Sequence, residues 1–413
     1  MAPHRDPVAA PTELRACKIV ALVVTGVAVT CIMVWSIACY QLLADPAHGG
    51  RNLDIDFSVF WGAAKLALSG DWLGPFETAK LSEARLIPID REAYEMYWLY
   101  PPTYHIAIAP LGYLPFFWSW LAFGLGSLAL LAWALAAPTR GATWAIALVV
   151  FSPSAMFLLA LGQNSLLIAA LLVGVLEAIR RNQVILAGLL IAAMTIKPQL
   201  GIAIPVALLA GSHWRVILWA CIGTLALLCL TLVTLGPEYW QAFFQAMIEG
   251  GQRIRHSDLI RVMISGFGNA VWLGMDQHAA MALQLVLSVF TAGCLAWLWR
   301  HPVASFDLKA AGLCLSVLLM TPYAIHYELI FAVLAAFYLA RDGVATAAPG
   351  RYLIVLLWLT PAIGYALLPW PGFSFTALLM LAALIYAIAR AQGQLARNAE
   401  FETKRCPAPS ASR

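Results

Sequence analysis

A dozen apolar runs, each long enough to cross a lipid bilayer or to dip into it, leave this chain few places to fold outside a membrane. They fall at about 19–43, 117–137, 142–160, 164–180, 184–196, 198–211, 214–235, 279–299, 308–321, 325–340, 352–369 and 373–390. A crossing helix needs about 20 apolar residues, so the shorter runs read as tilted, broken or half-length spans. With 62% hydrophobic and 11% charged residues in 413, the chain carries more apolar surface than a water-soluble core of this size hides. The expected fold is all-α: a polytopic membrane protein of about 10–12 transmembrane helices, with an outer first loop carrying amphipathic helices. Ile19–Leu43 is too long for a signal-peptide core and lacks a clear small-residue cleavage site, so it reads as a retained first span. Residues 1–18 are then a cytoplasmic segment, 19–390 one membrane domain, and 391–413 a cytoplasmic polar tail expected to be disordered.

Lysine and arginine orient the spans. Arg5, Arg15, Lys18, Arg140, Arg180, Arg181, Arg215, Arg300, Lys309, Arg341, Arg351, Arg390, Arg397, Lys404 and Arg405 all fall on one side, which the positive-inside rule makes the cytoplasm. Counting the proline-interrupted stretch 101–115 as a full crossing would move Arg180 and Arg181 outside, so it reads as a re-entrant or very short helix. The net charge of +4 is a matter of topology, and no nucleic-acid partner is implied. Six of the eight cysteines lie in apolar runs and the other two near the termini, without metal-ligand spacing or a disulfide framework.

This orientation gathers polar segments on the outer face. They are Asp54 and Asp56, "LYPPTYH" at 99–105, "GQNS" at 162–165, "KPQ" at 197–199, "RIRHSDLIR" at 253–261 and "TPYAIHYE" at 321–328. Ionisable and amide groups at the ends of spans are costly, and their convergence on one face marks a site or a pathway.

The same segments carry a resemblance. An Asp followed by an aromatic and "VFW", then "YPPTY" with "APLGYLP", "GQN" opening a span, "AGLLIAAMTIKPQ" and "TPYAIHYEL" occur in order between about residues 52 and 335. The set resembles glycosyltransferase family 87, the polyprenol-phosphate-sugar-dependent membrane transferases that include mycobacterial mannosyltransferases and share the GT-C membrane fold. The resemblance implies transfer of a hexose, mannose first, from a polyprenyl-phosphate donor to a glycolipid or glycan acceptor. It also implies an active site on the outer face of a bacterial inner membrane, with both termini in the cytoplasm. In that family the base is an Asp of the first outer loop, which places Asp56 on the matching position and Asp54 two residues before it.

The chemistry requires such groups. Inverting transfer needs a carboxylate to take the acceptor proton as the acceptor attacks an oxocarbenium-like centre. Asp56 and Asp54 are the candidates; either also serves to cap and solvate the helix starting near Ser58. A departing phosphate needs cations and donors, and Lys197, held between two short apolar segments before Pro198, is the first candidate, with Gln199 beside it. Its alternative is snorkelling to the headgroups. Arg253 and Arg255, with His256 and Arg261 on the same loop, suit the donor phosphate or anionic lipid equally. His326 and Tyr327 suit phosphate or sugar, or packing. Gln163 and Asn164 offer amides to sugar hydroxyls or cap the span beginning at Ser165, and Tyr100 and Tyr104 suit sugar stacking or an interfacial aromatic belt. No cofactor is expected; an Asp, a phosphate and water could hold Mg²⁺, but no acidic cluster calls for it. A transporter or flippase is the alternative class, opposed by the lack of repeated halves and of charges in mid-span.

Overall fold

The computed structural model describes residues 55–86, 96–255, 260, 262–346, 348–367 and 374–405. Among them there is helix but no strand, apart from one isolated bridge between Met263 and Ile325.

Helix α1, Asp56–Leu68, opens the described chain from an extended Ile55, with Asp56 in the first turn where the helix dipole favours an acid. Phe57, Val59, Phe60, Trp61 and Ala63 are buried, so α1 lies within the protein rather than on its surface. A single 3-10 turn at Gly74–Phe76 leads to α2, Thr78–Arg85, and α2 returns along α1. Helix α3, Pro102–Ile108, starts with proline at its first position and ends in the 3-10 turn Ala109–Tyr113. It is far too short to span, as the sequence requires of 101–115. The indole N–H of Trp61 donates to the Leu114 carbonyl at 3.0 Å and ties α1 to the end of that turn.

The bundle follows. Its helices are α4 (Phe116–Ala136), α5 (Thr143–Val150), α6 (Pro153–Leu161), α7 (Ser165–Arg180), α8 (Val184–Ala193) and α9 (Ile204–Ala210). After these come α10 (Trp214–Arg255), α11 (Gly266–Trp272), α12 (Gln277–Arg300), α13 (Phe306–Leu319), α14 (Ile330–Arg341), α15 (Ala348–Leu367) and α16 (Thr376–Arg405). Phe116–Ala136, Trp214–Gly250, Gln277–Arg300 and Thr376–Gln394 are individually long and apolar enough to cross a membrane. Helices α5 and α6 meet the same test only as a pair, bent by 54°. The other apolar runs form shorter helices, and α13 and α14 are buried along nearly their whole length, packed on each other at the centre of the bundle. The run at 19–43 lies outside the described residues. The result is an all-α polytopic membrane protein.

Two boundaries differ from the sequence expectation. The span at 214–235 does not end in a loop: Gly236 takes φ 77° and Pro237 follows, yet helix resumes at once and runs to Arg255. Arg253 and Arg255 therefore sit on the last turn of α10, whose two helical segments meet at a kink at Gly236 and Pro237. The polar tail expected to be disordered from residue 391 instead continues α16 to Arg405. The 184–211 region is, as the sequence reads, two short pieces, Val184–Ile196 and Pro198–Ala210, joined at Lys197.

Candidate active site

The corner between α6 and α7 is the piece that brings the polar segments together. Ser152 caps α6 by accepting from the Ala155 N–H at 3.3 Å, and the helix ends at Gly162 with φ 67°. A Cβ at residue 162 would lie 2.5 Å from Phe57 Cβ and 2.9 Å from Trp120 Cδ1, so only glycine lets the corner press on α1. The Trp120 indole donates to the Leu159 carbonyl at 3.0 Å and fixes α4 behind it. With the corner seated there, the Gln163 amide reaches across and donates to Asp56 Oδ2 at 2.9 Å.

Asp56 is not the cap of its helix, since Ile55 occupies that position, and its carboxylate is engaged by Gln163. Asn164 does occupy the cap position of α7, but its side chain makes no capping bond. Fully buried, it has both amide atoms unpartnered, as are Gln163 Oε1 and the fully buried Tyr104 hydroxyl. Unpartnered buried polar atoms of this kind cost roughly 1–3 kcal/mol each and call for a ligand or water. The Tyr104 hydroxyl lies beside the Asn164 amide. The Tyr100 ring stands 4.9 Å from that of Tyr104 and 5.1 Å from Phe60. Burial, and then the negative charges of Asp56 and Glu328, raise the pKa of the Tyr100 hydroxyl, so it stays protonated.

Lys197 enters from the break between the two short segments. Pro198 disfavours helical backbone at the residue before it, and Lys197 takes φ −143°, ψ 72°. Its ammonium is 2.8 Å from Glu328 Oε1 and 3.1 Å from Ser165 Oγ, and 5.3 Å from the Tyr327 ring centre. Lysine and glutamate are each only 3% exposed at the side chain, which removes snorkelling to the headgroups as the account of Lys197.

The structure thus brings Asp56, Tyr100, Tyr104, Gln163, Asn164, Lys197 and Tyr327 into one cluster. His326 stands at its edge: its ring faces Phe157 at 5.6 Å, and its Nδ1 is 3.4 Å from the Val262 carbonyl. Gln199 does not join. The 3-10 turn Pro198–Gly201 buries Leu200 and leaves Gln199 exposed, so the pairing of Gln199 with Lys197 on one phosphate is not what the backbone delivers. Asp54, His256, Arg261 and the side chains of Arg253 and Arg255 lie outside the described residues.

Two polar residues escaped the sequence reading. Glu328 was visible as an acid inside an apolar run, and its neighbours His326 and Tyr327 drew the attention instead. Arg85 gave no signal in the polar stretch "LSEARLIP", yet it is 2% exposed and its Nε donates to Ser58 Oγ at 2.9 Å, two residues from Asp56. Neither position departs from ordinary composition; only the packing of α2 on α1 and of the 326–329 turn on Lys197 reveals them.

The family model described as glycosyltransferase family 87 matches residues 98–322, more than half of the chain. No curated protein and no solved structure matches. The matched stretch contains Tyr100, Tyr104, Gln163, Asn164 and Lys197, whereas Asp56 and Glu328 lie beyond its two ends and are tied to it by contacts from Gln163 and Lys197.

Proposed function

The chain belongs to glycosyltransferase family 87, and from that premise we propose that it moves a hexose, mannose first, from a polyprenyl phosphate to a hydroxyl of a glycolipid or glycan, inverting the anomeric centre. The observation that carries the reading is the Gln163 amide on Asp56, next to four unpartnered polar atoms and a buried lysine.

In the proposed reaction Asp56 takes the proton of the acceptor hydroxyl as its oxygen bonds to the anomeric carbon. The bond from that carbon to the phosphate oxygen breaks, its electron pair stays on oxygen, and the polyprenyl phosphate leaves. Gln163 fixes the carboxylate through Oδ2. Asn164, the Gln163 carbonyl and the Tyr104 hydroxyl supply donors and acceptors for sugar hydroxyls. Lys197 offsets the charge growing on the phosphate, a contact between a charged donor and an anion being the stronger kind. The proposed set needs no cofactor.

The cluster sits at the end of the bundle away from Arg180, Arg341 and Arg390. By the positive-inside rule that basic end is cytoplasmic, which puts the reaction on the extracytoplasmic face of the inner membrane, both termini inside.

The test is transfer of radiolabelled mannose from a polyprenyl phosphate by the purified protein. Asp56→Asn should lower turnover by about 10²- to 10⁴-fold with the melting temperature retained. Near-wild-type turnover of that variant would remove Asp56 as the base.

A further inference from the structure

Glu328 has no task in the reaction as written, and its charge is the wrong sign for a place that receives phosphate. Yet its carboxylate holds the Lys197 ammonium at 2.8 Å, both side chains 3% exposed. Stability does not account for the pair: buried ion pairs are often replaced by apolar residues without loss, whereas removing one partner alone is severe. The two partners are also unequally anchored. Glu328 Oε2 accepts from the Ile325 N–H at 3.3 Å, in the first turn of the 3-10 segment His326–Leu329, so the carboxylate is fixed to backbone. Lys197 carries its charge on a flexible four-carbon stem, with Ser165 Oγ and the Tyr327 ring as further supports. Of the two, the lysine is the one free to shift. Through the Lys197 ammonium the Glu328 carboxylate adjoins Ser165 and Tyr327 of the cluster.

The geometry points to Glu328 as a positioning residue that limits how tightly Lys197 grips phosphate: it holds the ammonium in the empty site, yields it to the donor, and reclaims it from the departing polyprenyl phosphate. This inference rests on the polyprenyl-phosphate reading above. A phosphodiester donor carries one negative charge and the leaving monoester approaches two near neutral pH, its second pKa being about 6. A lysine without a competitor would therefore bind product more tightly than substrate, and release would limit turnover.

The probe is farnesyl phosphate, a short polyprenyl monophosphate, titrated into the full-length protein in nanodiscs. Wild type should bind it. Glu328→Gln keeps the size and an acceptor oxygen but drops the charge; it should bind about tenfold tighter, with a lower KM for the donor and a lower kcat. A purely structural Glu328 predicts a lower melting temperature and unchanged or weaker affinity of the folded fraction, and that result overturns the inference. If Glu328→Gln does not fold, Glu328→Asp decides. It keeps the charge, draws it back by one methylene, and should bind about threefold tighter; unchanged affinity again overturns the inference. Failure of the wild type itself to bind farnesyl phosphate would instead overturn the donor reading.

Discussion

At the scale of single residues, one glycine governs the placement of the proposed base. Gly162 combines left-handed backbone, φ 67°, with contact distances that no side chain fits: 2.5 Å from its would-be Cβ to Phe57 Cβ. The obstructing atom is a Cβ and cannot rotate aside. Gly162→Ala should therefore cost roughly 2–5 kcal/mol, from left-handed strain of about 1–2 and overpacking of about 1–3. It should also push the corner off α1, separate Gln163 from Asp56, and depress transfer more than a stability loss alone does. Thermal unfolding and transfer by the folded fraction check the two parts separately; wild-type values of both would show that the corner tolerates a side chain. The "GQN" motif was legible in the sequence because its amides stand out in an apolar chain. The reason for its glycine was not, since the clash is with a residue more than a hundred positions away.

Among elements, the pieces at the candidate-site end are locked by a directional relay. The Trp98 indole N–H donates to the Tyr239 hydroxyl oxygen at 2.9 Å, and that oxygen is 2.8 Å from His105 Nδ1. The other ring nitrogen, Nε2, is 2.9 Å from the Ala63 carbonyl, which can only accept. Nε2 therefore carries the proton, and Nδ1 accepts from Tyr239. The relay joins α1, α3 and the part of α10 beyond its Gly236–Pro237 bend, which explains why helix resumes there: Tyr239 is fully buried against α3 and the Trp98 segment. Burial lowers the His105 pKa to about 4, against the ordinary 6.5. A lowered histidine stabilises the folded state fully above pH 6.5, and the contribution is lost as the pH falls from there toward 4, where the unfolded chain binds a proton the folded one refuses. The loss should reach about 3 kcal/mol, at 1.36 kcal/mol per unit. Denaturation of wild type and His105→Gln at pH 7 and pH 4 measures it: the stability gap should narrow by that amount, and a constant gap would remove His105 as the titrating group. Periodicity and hydropathy placed most helices here, including the short 101–115 piece and the break at Lys197. They missed the part of α10 beyond its bend, because a glycine and proline with polar residues after them read as a loop until Tyr239 is seen to be packed.

Over the whole molecule, the same helices carry two different polar ends. Helix α7 begins at Ser165, on the Lys197 ammonium, and ends at Arg180, whose guanidinium donates to Asp307 Oδ1 at 2.6 Å. Its 16 residues set the two contacts about 24 Å apart at 1.5 Å per residue. Helix α14 repeats the arrangement, starting just after Glu328 and ending at Arg341, 3.2 Å from the same Asp307 carboxylate. At this second end Arg390 also pairs with Asp342 at 2.9 Å, closing α16 onto the bundle. The arginines here are partly exposed, so the pairs contribute modestly to stability, and their common placement says more about insertion than about folding. The charge asymmetry read from the sequence is thus a real separation in space, with Arg180, Arg341 and Arg390 at one end and Asp56, the amides and the buried Lys197 at the other. If the basic end is cytoplasmic, cysteines placed at exposed sites of the two ends should differ in their reach from outside. Lys80→Cys, on α2 where the lysine pairs with Asp71 and Glu77, should react with an impermeant maleimide in intact cells, with wild type as the blank. Arg181→Cys, at the exposed end of α7, should react only after permeabilisation. The opposite pattern would turn the whole molecule over, moving the proposed reaction to the cytoplasmic face while leaving the cluster and the family unchanged.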